Sequence, residues 1–141
     1  MPGGRPAGPL TRCNGKWTEA KFNNFIRNQL RSATRKWEPI QNAKKKAQVE
    51  RGIYHCAGCN QNVPVTIKNG KKRVQNVFVD HIEPIVDPDE GFVSFDQFID
   101  RMFCEEDNLQ LLCGECHDKK SLDERQRAAE RRKKEKDNGK I

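Results

Sequence analysis

Four of the six cysteines form two pairs with the spacing of metal ligands. Two residues separate Cys56 from Cys59, and two separate Cys113 from Cys116. Four thiolates complete the tetrahedral shell that zinc prefers, and two such pairs are the usual way to supply them. Disulfides or free thiols are the alternatives, but in a reducing compartment such pairs more often bind metal. Because four cysteines fill the shell, the spacing predicts a structural zinc site with no open position for a substrate.

The stretch between the two pairs is 53 residues long, more than a simple zinc ribbon needs. It is therefore predicted to be a functional insertion whose ends the zinc holds together. Cys13 and Cys104 have no partner at metal spacing, and Cys104 is expected to be a small buried side chain. His55, next to Cys56, is expected to belong to the zinc turn or to donate a hydrogen bond to a zinc-bound sulfur.

Asp80, His81 and His117 form a second set of candidate functional residues. Asp80 and His81 end the apolar run VFVDH, and His117 directly follows Cys116. Adjacent strand residues point to opposite faces, so one of the pair can hold a metal while the other handles a proton. Because Cys116 is committed to zinc, His117 points in another direction and can bind a different cation. Such a cation keeps positions open for water and phosphate, and an imidazole, with a pKa of about 6.5, can act as a base near neutral pH.

The order of these motifs resembles that of one nuclease family. The segments YHCAGC, VDHIEP and NLQLLCGECHDKK lie within residues 52–121. They are similar to the HNH endonucleases, the ββα-metal nucleases, in a form stapled by zinc through two CxxC pairs. The basic segment before them is similar, more loosely, to that of small phage-encoded HNH proteins. Residues 83–107 form a longer segment than in minimal members, so the resemblance does not define the shape of the groove.

The resemblance implies a role for each residue of the second set. His81 corresponds to the general base that takes a proton from the attacking water. Asn108 corresponds to the asparagine whose amide holds the loop between two strands and so orients that base. Asp80 and His117 correspond to the ligands of a single catalytic divalent cation. Mg²⁺ or Mn²⁺ suits such a site, and the histidine also admits Ni²⁺ or Co²⁺.

Charge is distributed unevenly along the chain, whose net charge is +7. Residues 1–55 hold 12 Lys and Arg against 3 Asp and Glu, residues 56–118 hold 5 against 12, and residues 119–141 hold 10 against 5. Basic ends can bind a polyanion and an acidic centre can hold a hard cation, although basic helices can also be merely soluble. The candidates for contacts with DNA phosphates are Arg27, Arg31, Arg35, Lys44, Lys45, Lys46, Lys71, Lys72, Arg73, Lys119 and Lys120.

The hydrophobic pattern predicts an α+β fold. Helices are predicted over WTEAKFNNFIRNQLRSATRKWEP, with Thr18 as the N-cap, and over IQNAKKKAQVE, ending before Gly52. Asn69-Gly70 predicts a hairpin turn between two strands, the second of which ends at His81.

The second half of the chain is predicted to contain two further helices and a strand. FVSFDQFIDRMF is a helix with Phe92, Phe95, Phe98, Ile99 and Met102 inward, and NLQLLC is a short strand. A helix begins at Gly114 and is too charged to remain packed beyond about residue 129.

Four segments follow from these elements. They are a disordered arm at 1–15, a basic helical region at 16–51 that contacts DNA, an HNH nuclease domain at 52–125, and a basic tail at 126–141 that is helical or disordered. Only 34% of the residues are hydrophobic, so the core is expected to be small and to need the four-cysteine zinc site as a staple. The expected fold is a small ββα-metal unit with this site, preceded by basic helices and followed by a charged helical tail.

The expected location is a reducing cytoplasm. No run of about 18 apolar residues occurs, so no membrane partner is expected, and MPGGRPAGPL lacks the apolar region of a signal peptide. If the chain is phage-encoded, the compartment is the cytoplasm of the bacterial host. The sequence specifies no oligomeric state, and a monomer is favoured.

The favoured function is a metal-dependent DNA endonuclease that nicks DNA or cuts both strands. The resemblance implies products with a 5′-phosphate and a 3′-hydroxyl. The alternative is a non-catalytic, zinc-stapled DNA-binding adaptor that assists a DNA-processing or packaging machine. DNA is the expected partner in both cases, and a phage packaging complex is a further partner that the resemblance suggests.

Overall fold

The structure is a computed structural model that describes residues 8–139. It confirms the α+β class, with short 3₁₀ turns at Thr34–Lys36 and Glu106–Asn108. The strands and α-helices are β1 (Leu10–Arg12), β2 (Trp17–Thr18), α1 (Glu19–Ala33), α2 (Glu38–Ala47), β3 (Gln48–Glu50), β4 (Ile53–His55), β5 (Asn62–Pro64), β6 (Thr66–Asn69), β7 (Lys72–Gln75), β8 (Val77–His81), α3 (Phe95–Met102), β9 (Leu109–Cys113) and α4 (Gly114–Asp137).

The chain divides into two compact units after Arg35. This boundary falls inside the basic helical region predicted over 16–51, so α1 and α2 belong to different units. Within the described residues, no helix combines the length and the apolar character needed to cross a bilayer.

The first unit joins a two-stranded ribbon to α1. Leu10 pairs with Thr18 in an antiparallel ribbon, where the sequence predicts a disordered arm over 1–15. The Arg12 guanidinium lies 4.2 Å from the centroid of the Phe22 ring and 3.1 Å from the Glu19 carboxylate, so its contacts with α1 explain why the strand is ordered. Residues 1–7 of the predicted arm lie outside the described residues.

Thr18 caps α1 as predicted. Its hydroxyl accepts a hydrogen bond from the backbone N–H of Lys21 at 3.2 Å. Such a cap satisfies one of the donors that the first turn of a helix leaves without an intrahelical partner.

The helix predicted to reach the residue before Gly52 ends earlier. Residues 48–50 form β3, which pairs with β4 through Gln48 with Tyr54. Gly52, with a φ of +76°, makes the tight turn between the two strands. Pro39 lies in the first turn of α2, where its missing N–H costs no intrahelical hydrogen bond, so the helix begins at Glu38.

The predicted hairpin forms between β6 and β7, but its turn lies one residue later than Asn69-Gly70 suggests. Asn69 pairs with Lys72, so the two turn residues are Gly70 and Lys71. Gly70 has a φ of +68°, the conformation that the first central position of a tight hairpin turn requires. The second strand does not continue to His81, because it breaks at Asn76 and the chain resumes as β8.

The core is built on the antiparallel pair β8–β9. Val77 lies opposite Cys113 and His81 opposite Leu109. The buried apolar side chains on these strands are Val77, Leu109, Leu111, Leu112 and Cys113.

α3 contributes one buried face to this core rather than the broad face predicted. Phe98 and Met102, four residues apart, are buried. Phe92 and Ile99, which the periodicity places inward, are 37% and 39% exposed. Ile99 lies beside the single buried stripe of this eight-residue helix, whereas Phe92 precedes the helix and packs with one side of its ring against Phe95 and Phe98.

α4 stays in contact with the rest of the unit beyond residue 129, contrary to the prediction. A Cβ added at Gly91 would collide with the guanidinium of Arg131. Arg127 forms an ion pair with Asp89, and hydrogen bonding by its guanidinium lowers the pKa of the Asp89 carboxyl. Arg127 and Arg131 of α4 therefore contact the acidic loop before α3.

Asn76 connects three segments at the break between β7 and β8. Its side-chain amide donates to the carbonyl of Pro64 at 3.0 Å, and its Oδ1 accepts from the N–H of Gly114 at 3.3 Å. Its own carbonyl accepts from the same N–H at 2.9 Å. At 7% exposure, Asn76 is the buried polar residue that ties the start of α4 to the hairpin strands.

Replacement of this amide should destabilise the fold. In the Asn76→Ala variant the Pro64 carbonyl loses its partner, so the free energy of unfolding should fall by about 1–3 kcal/mol. Urea unfolding followed by circular dichroism measures the change. Asn28→Ala, at an exposed position of α1, is the matched control and should change the free energy by less than about 0.5 kcal/mol. Equal midpoints for the two variants would contradict this role of Asn76.

Candidate functional site

The four predicted zinc ligands come together. The Sγ atoms of Cys56, Cys59, Cys113 and Cys116 all lie within 4.8 Å of one another. Sulfurs bound to one zinc at about 2.3 Å would lie about 3.8 Å apart at the corners of a tetrahedron. Within residues 8–139, this is the group of three or more Cys, His, Asp or Glu side chains that could hold a metal. The cluster therefore fits a structural metal such as zinc.

One short turn, the end of β9 and the first turn of α4 position these sulfurs. Cys56 follows β4, and the N–H of Asn60 donates to its carbonyl at 2.9 Å to close the first turn. The N–H of Ala57 donates to the carbonyl of Leu111 at 2.8 Å, which joins this turn to β9. Cys113 ends β9, and its N–H donates to the sulfur of Cys56 at 3.2 Å.

The electrostatics of the cluster also favour a cation. Burial opposes ionisation of Cys56, but backbone N–H groups that include that of Cys113 donate to its sulfur and lower its pKa to about 6. Burial and the neighbouring thiols raise the pKa of Cys116 to about 12. Four sulfurs at this separation cannot all be thiolates without a positive charge between them, which a bound Zn²⁺ supplies.

Asp80 faces α4 and interacts with two side chains. Its Oδ2 accepts from the Gln110 amide at 3.1 Å, directly across the strand pair, and lies 3.1 Å from the Lys120 ammonium. The Asp80 carboxylate is 14% exposed and the Lys120 side chain 24%. Burial opposes the charge on Lys120, but hydrogen bonds to Glu124 and Asp80 outweigh this effect and raise the pKa of the ammonium.

His81, the predicted general base, points to the opposite face of β8. Its Nε2 lies 2.8 Å from the backbone carbonyl of Met102, at the end of α3. A carbonyl only accepts, so Nε2 carries the hydrogen and, in the neutral ring, Nδ1 keeps the free lone pair. The ring is therefore held in the tautomer that a base needs at Nδ1.

Asn108 forms hydrogen bonds with the loop that follows β8. Its Oδ1 accepts from the N–H of Glu83 at 2.8 Å, and its Nδ2 donates to the Glu83 carbonyl at 3.3 Å. The N–H of Ile82 donates to the Asn108 carbonyl at 2.8 Å. These bonds lie one and two residues after His81, so they restrain the backbone that carries it.

His117 lies over the same face of β8 as Asp80. Its ring stacks on the Phe78 ring with centroids 4.6 Å apart and planes 17° apart. Phe78 and Asp80 are two residues apart on one strand and so share a face. His117 and Lys120, one helical turn apart, reach that face from α4, and Lys120 contacts the carboxylate.

The donor set of this face is of a kind that a divalent cation could use. A carboxylate with one imidazole matches the ligand preferences of Mn²⁺, and both groups lie between β8 and α4. The Lys120 ammonium already provides a positive charge 3.1 Å from Oδ2 of Asp80. The sequence prediction that Asp80 and His117 share one cation remains a prediction.

The predicted DNA-binding residues lie on separate elements. Arg27, Arg31 and Arg35 belong to the first unit, and the others belong to the second. The hairpin turn carries Lys71, and Arg73 on β7 donates to the Thr66 hydroxyl at 3.0 Å. Lys45 is exposed at the end of α2, whose last turn also carries Lys44 and Lys46.

Several of the predicted phosphate contacts also interact with side chains of the chain itself. Lys46 forms an ion pair with Glu106, and Lys44 lies 5.7 Å from the centroid of the Tyr54 ring. Lys120 is held by Asp80 and Glu124, whereas the side chain of its neighbour Lys119 is 74% exposed. The exposed Lys119 is therefore better placed to meet a phosphate than Lys120 is.

Several residues that position the site are not among those that the sequence patterns indicate. Gln110 contacts Asp80 because the register of β8 and β9 sets them opposite each other, which no local pattern reveals. Arg101 donates to the carbonyl of Pro84 at 2.8 Å and anchors the loop after β8. Glu124 follows Lys120 by four residues, a spacing that could have indicated their ion pair. His55 bonds to the amide oxygen of Asn62 at 3.0 Å rather than to a cysteine sulfur.

Loss of one sulfur should release the metal and destabilise the fold. Cys113→Ser should abolish binding of one zinc per chain and lower the free energy of unfolding by at least about 3 kcal/mol, because metal binding contributes directly to folding. Elemental analysis and chemical unfolding measure the two effects. Cys104→Ser, outside the cluster, should retain the zinc. Full zinc content in the Cys113 variant would rule out the staple.

A substitution at Gly58 provides a second test of the metal centre. A Cβ at this position would lie 3.0 Å from Sγ of Cys116 and 3.2 Å from Cδ2 of Leu112. Gly58→Ala should therefore displace the sulfur and lower zinc affinity by about tenfold or more, as measured by competition with a chromophoric chelator. Gly8→Ala is the control, since nothing lies within 4 Å of its added Cβ. Equal affinity in both variants would show that the sulfurs are not confined as described.

Comparison of the chain with protein-family models, with curated proteins and with solved structures finds no significant match. The chemistry that this site supports therefore rests on its own residues.

Proposed function

We propose that the chain is a metal-dependent DNA endonuclease of the HNH type. One observation carries the proposal: the Asn108 amide pairs with the backbone of Glu83 directly after the Asp80-His81 pair. β8, the asparagine Asn108, β9 and α4 occur in this order along the chain, with α3 inserted between β8 and Asn108. This order agrees with the ββα-metal arrangement that the motifs resemble. The cysteine cluster, which includes the end of β9 and the start of α4, would hold the structural Zn²⁺.

His81 would act as the general base. Its Nδ1 takes a proton from the water that attacks phosphorus, while the hydrogen bond from Nε2 to the Met102 carbonyl keeps the ring oriented. This bond also stabilises the imidazolium that forms, because a carbonyl oxygen is an acceptor for a charged donor. The Asn108 amide keeps the backbone of the loop, and so the base, in position.

Asp80 and His117 would hold the catalytic divalent cation, Mg²⁺ or Mn²⁺ or, with the imidazole ligand, Ni²⁺ or Co²⁺. When bound, this cation neutralises charge on the phosphoryl oxygens and helps the leaving oxygen depart. Gln110 and Phe78 position the two ligand side chains by a hydrogen bond and by ring stacking, respectively. The products would carry a 5′-phosphate and a 3′-hydroxyl.

DNA would be bound through its backbone. The exposed cations on α1, α2 and the hairpin turn neutralise phosphates without distinguishing bases. Gly70 at the hairpin turn has no side chain to prevent close approach of the backbone to a groove. Weak sequence specificity follows, with nicking at least as frequent as double-strand cleavage.

The second candidate is a zinc-stapled adaptor that binds DNA without cutting it and assists a processing or packaging machine. The ion pair of Lys120 with Asp80 favours this candidate, because it satisfies the carboxylate without a metal. The bonds of Asn108 and the fixed tautomer of His81 favour the nuclease. Cleavage of supercoiled plasmid with Mg²⁺, Mn²⁺ or Ni²⁺, and its loss with EDTA, separates the two.

Removal of the base should abolish cleavage without unfolding the chain. His81→Ala should lower the nicking rate of supercoiled plasmid at least about 100-fold, because general base catalysis contributes that much or more. Gel electrophoresis of the plasmid measures the rate, and a gel-shift assay should show nearly unchanged DNA affinity. His55→Ala, whose ring is exposed and bonded to Asn62, is the matched control and should cleave normally. Wild-type cleavage by the His81 variant would remove the general-base assignment.

A further inference from the structure

Three oxygens surround the ammonium of Lys120. The Nζ atom lies 3.1 Å from Oδ2 of Asp80, donates to the carbonyl of His81 at 2.9 Å, and forms an ion pair with Glu124. All three partners are partly buried, and the Glu124 side chain is 27% exposed. An ammonium within three oxygens, two of them carboxylate oxygens, occupies the kind of position that a hard cation would take.

We infer that Lys120 is an internal counter-ion that must leave Asp80 before a divalent cation can bind there. We call this arrangement the lysine lock; it consists of Lys120, the Asp80 and Glu124 carboxylates and the His81 carbonyl. The inference deepens the proposed function and rests on it, since it concerns the cation that Asp80 would hold. It also gives Glu124 a role in cation exchange.

The lock follows from competition for a single oxygen. Oδ2 of Asp80 already accepts from Gln110 and Lys120, so a cation at this oxygen must displace one of them, and a cation at Oδ1 of the same carboxylate would lie beside the Lys120 ammonium, which repels it. Gln110 is neutral and is fixed opposite Asp80 by the strand register, whereas Lys120 is positively charged and repels a second cation. Lys120 is therefore the group that moves.

Glu124 makes the displacement reversible. It lies four residues after Lys120 on α4, so the two side chains remain neighbours whether or not a cation has displaced Lys120 from Asp80. When a cation takes Asp80, the ammonium keeps Glu124 as a partner and is not left unpaired in a partly buried position. When the cation leaves, the Lys120 ammonium pairs with Asp80 again. The carboxylate next to α4 therefore always has a positively charged partner.

The test is Mn²⁺ binding to the full chain carrying zinc at its cysteines. Free Mn²⁺ is measured by electron paramagnetic resonance, and Mn²⁺ is chosen because it prefers oxygen to thiolate ligands. Lys120→Met removes the competing charge and should raise Mn²⁺ affinity at least about tenfold. Lys119→Met removes the same charge one residue away at an exposed position and should change the affinity less than about twofold.

Glu124→Gln tests the lock from the other side and does not depend on the folding of the Lys120 variant. Without the second carboxylate, Lys120 has only Asp80 as a charged partner and is harder to displace. Mn²⁺ affinity should then fall about threefold or more. Circular dichroism melting establishes that each variant is folded before its affinity is compared.

Three outcomes separate the lock from the proposed function. Equal Mn²⁺ affinity in wild type and in the Lys120, Lys119 and Glu124 variants, with binding lost in Asp80→Asn, would overturn the lock and leave the cation site intact. Absence of Mn²⁺ binding in all of them would overturn both. If Lys120→Met binds Mn²⁺ more tightly than wild type does, and neither of these two proteins cleaves the plasmid, the lock is supported and the nuclease is contradicted.

Discussion

Cys113 connects a strand, a helix and the cysteine cluster, and the arrangement of the second unit depends on it. It ends β9 opposite Val77, precedes the first turn of α4 and contributes one of four clustered sulfurs. The apolar group packed with it is small, consisting of Cys56 and Leu112 with Val63 and Cys116 at its edge. A core of this size gains little from burial alone, so a metal that joins two distant segments would supply the missing constraint. The direction of α4 is set at this point, and with it the positions of His117 and Lys120.

β8 places its two ionisable side chains in different surroundings by its alternation. Asp80 is directed toward α4, where it meets Gln110 and Lys120, and His81 is directed toward α3, where it meets the Met102 carbonyl. Asp80 and His81 are adjacent in the sequence, yet Asp80 faces the Lys120 ammonium and His81 faces the neutral carbonyl of Met102. Asn108 restrains the chain immediately after them, so both groups share one rigid support.

The basic end of the chain neutralises part of the acidic centre. Arg127 pairs with Asp89, Lys134 lies close enough to lower the pKa of the same carboxyl, and Arg131 packs against Gly91. The uneven charge of the sequence therefore reflects ion pairs within the chain, in addition to the contacts with DNA that we propose. If the chain binds DNA as we propose, the cations of α4 that contact this loop would contribute less to that binding than their number suggests. Lys45 of α2 and Lys71 of the hairpin turn, both exposed, are better candidates for the phosphate contacts that we propose.

The sequence by itself determined those features of the fold that depend only on residues close together in the chain. The cysteine spacing, the Thr18 cap and the hairpin were predictable because each depends on a few neighbouring residues. The α+β class followed from periodicity in the same way. The tertiary structure alone decided that Lys120 contacts Asp80, that Gln110 lies opposite it, and that Asn76 interrupts the second strand. These features depend on strand register and on the rotation of α4 about its axis. Register and rotation are set by packing between segments 30 or more residues apart, which no short pattern encodes.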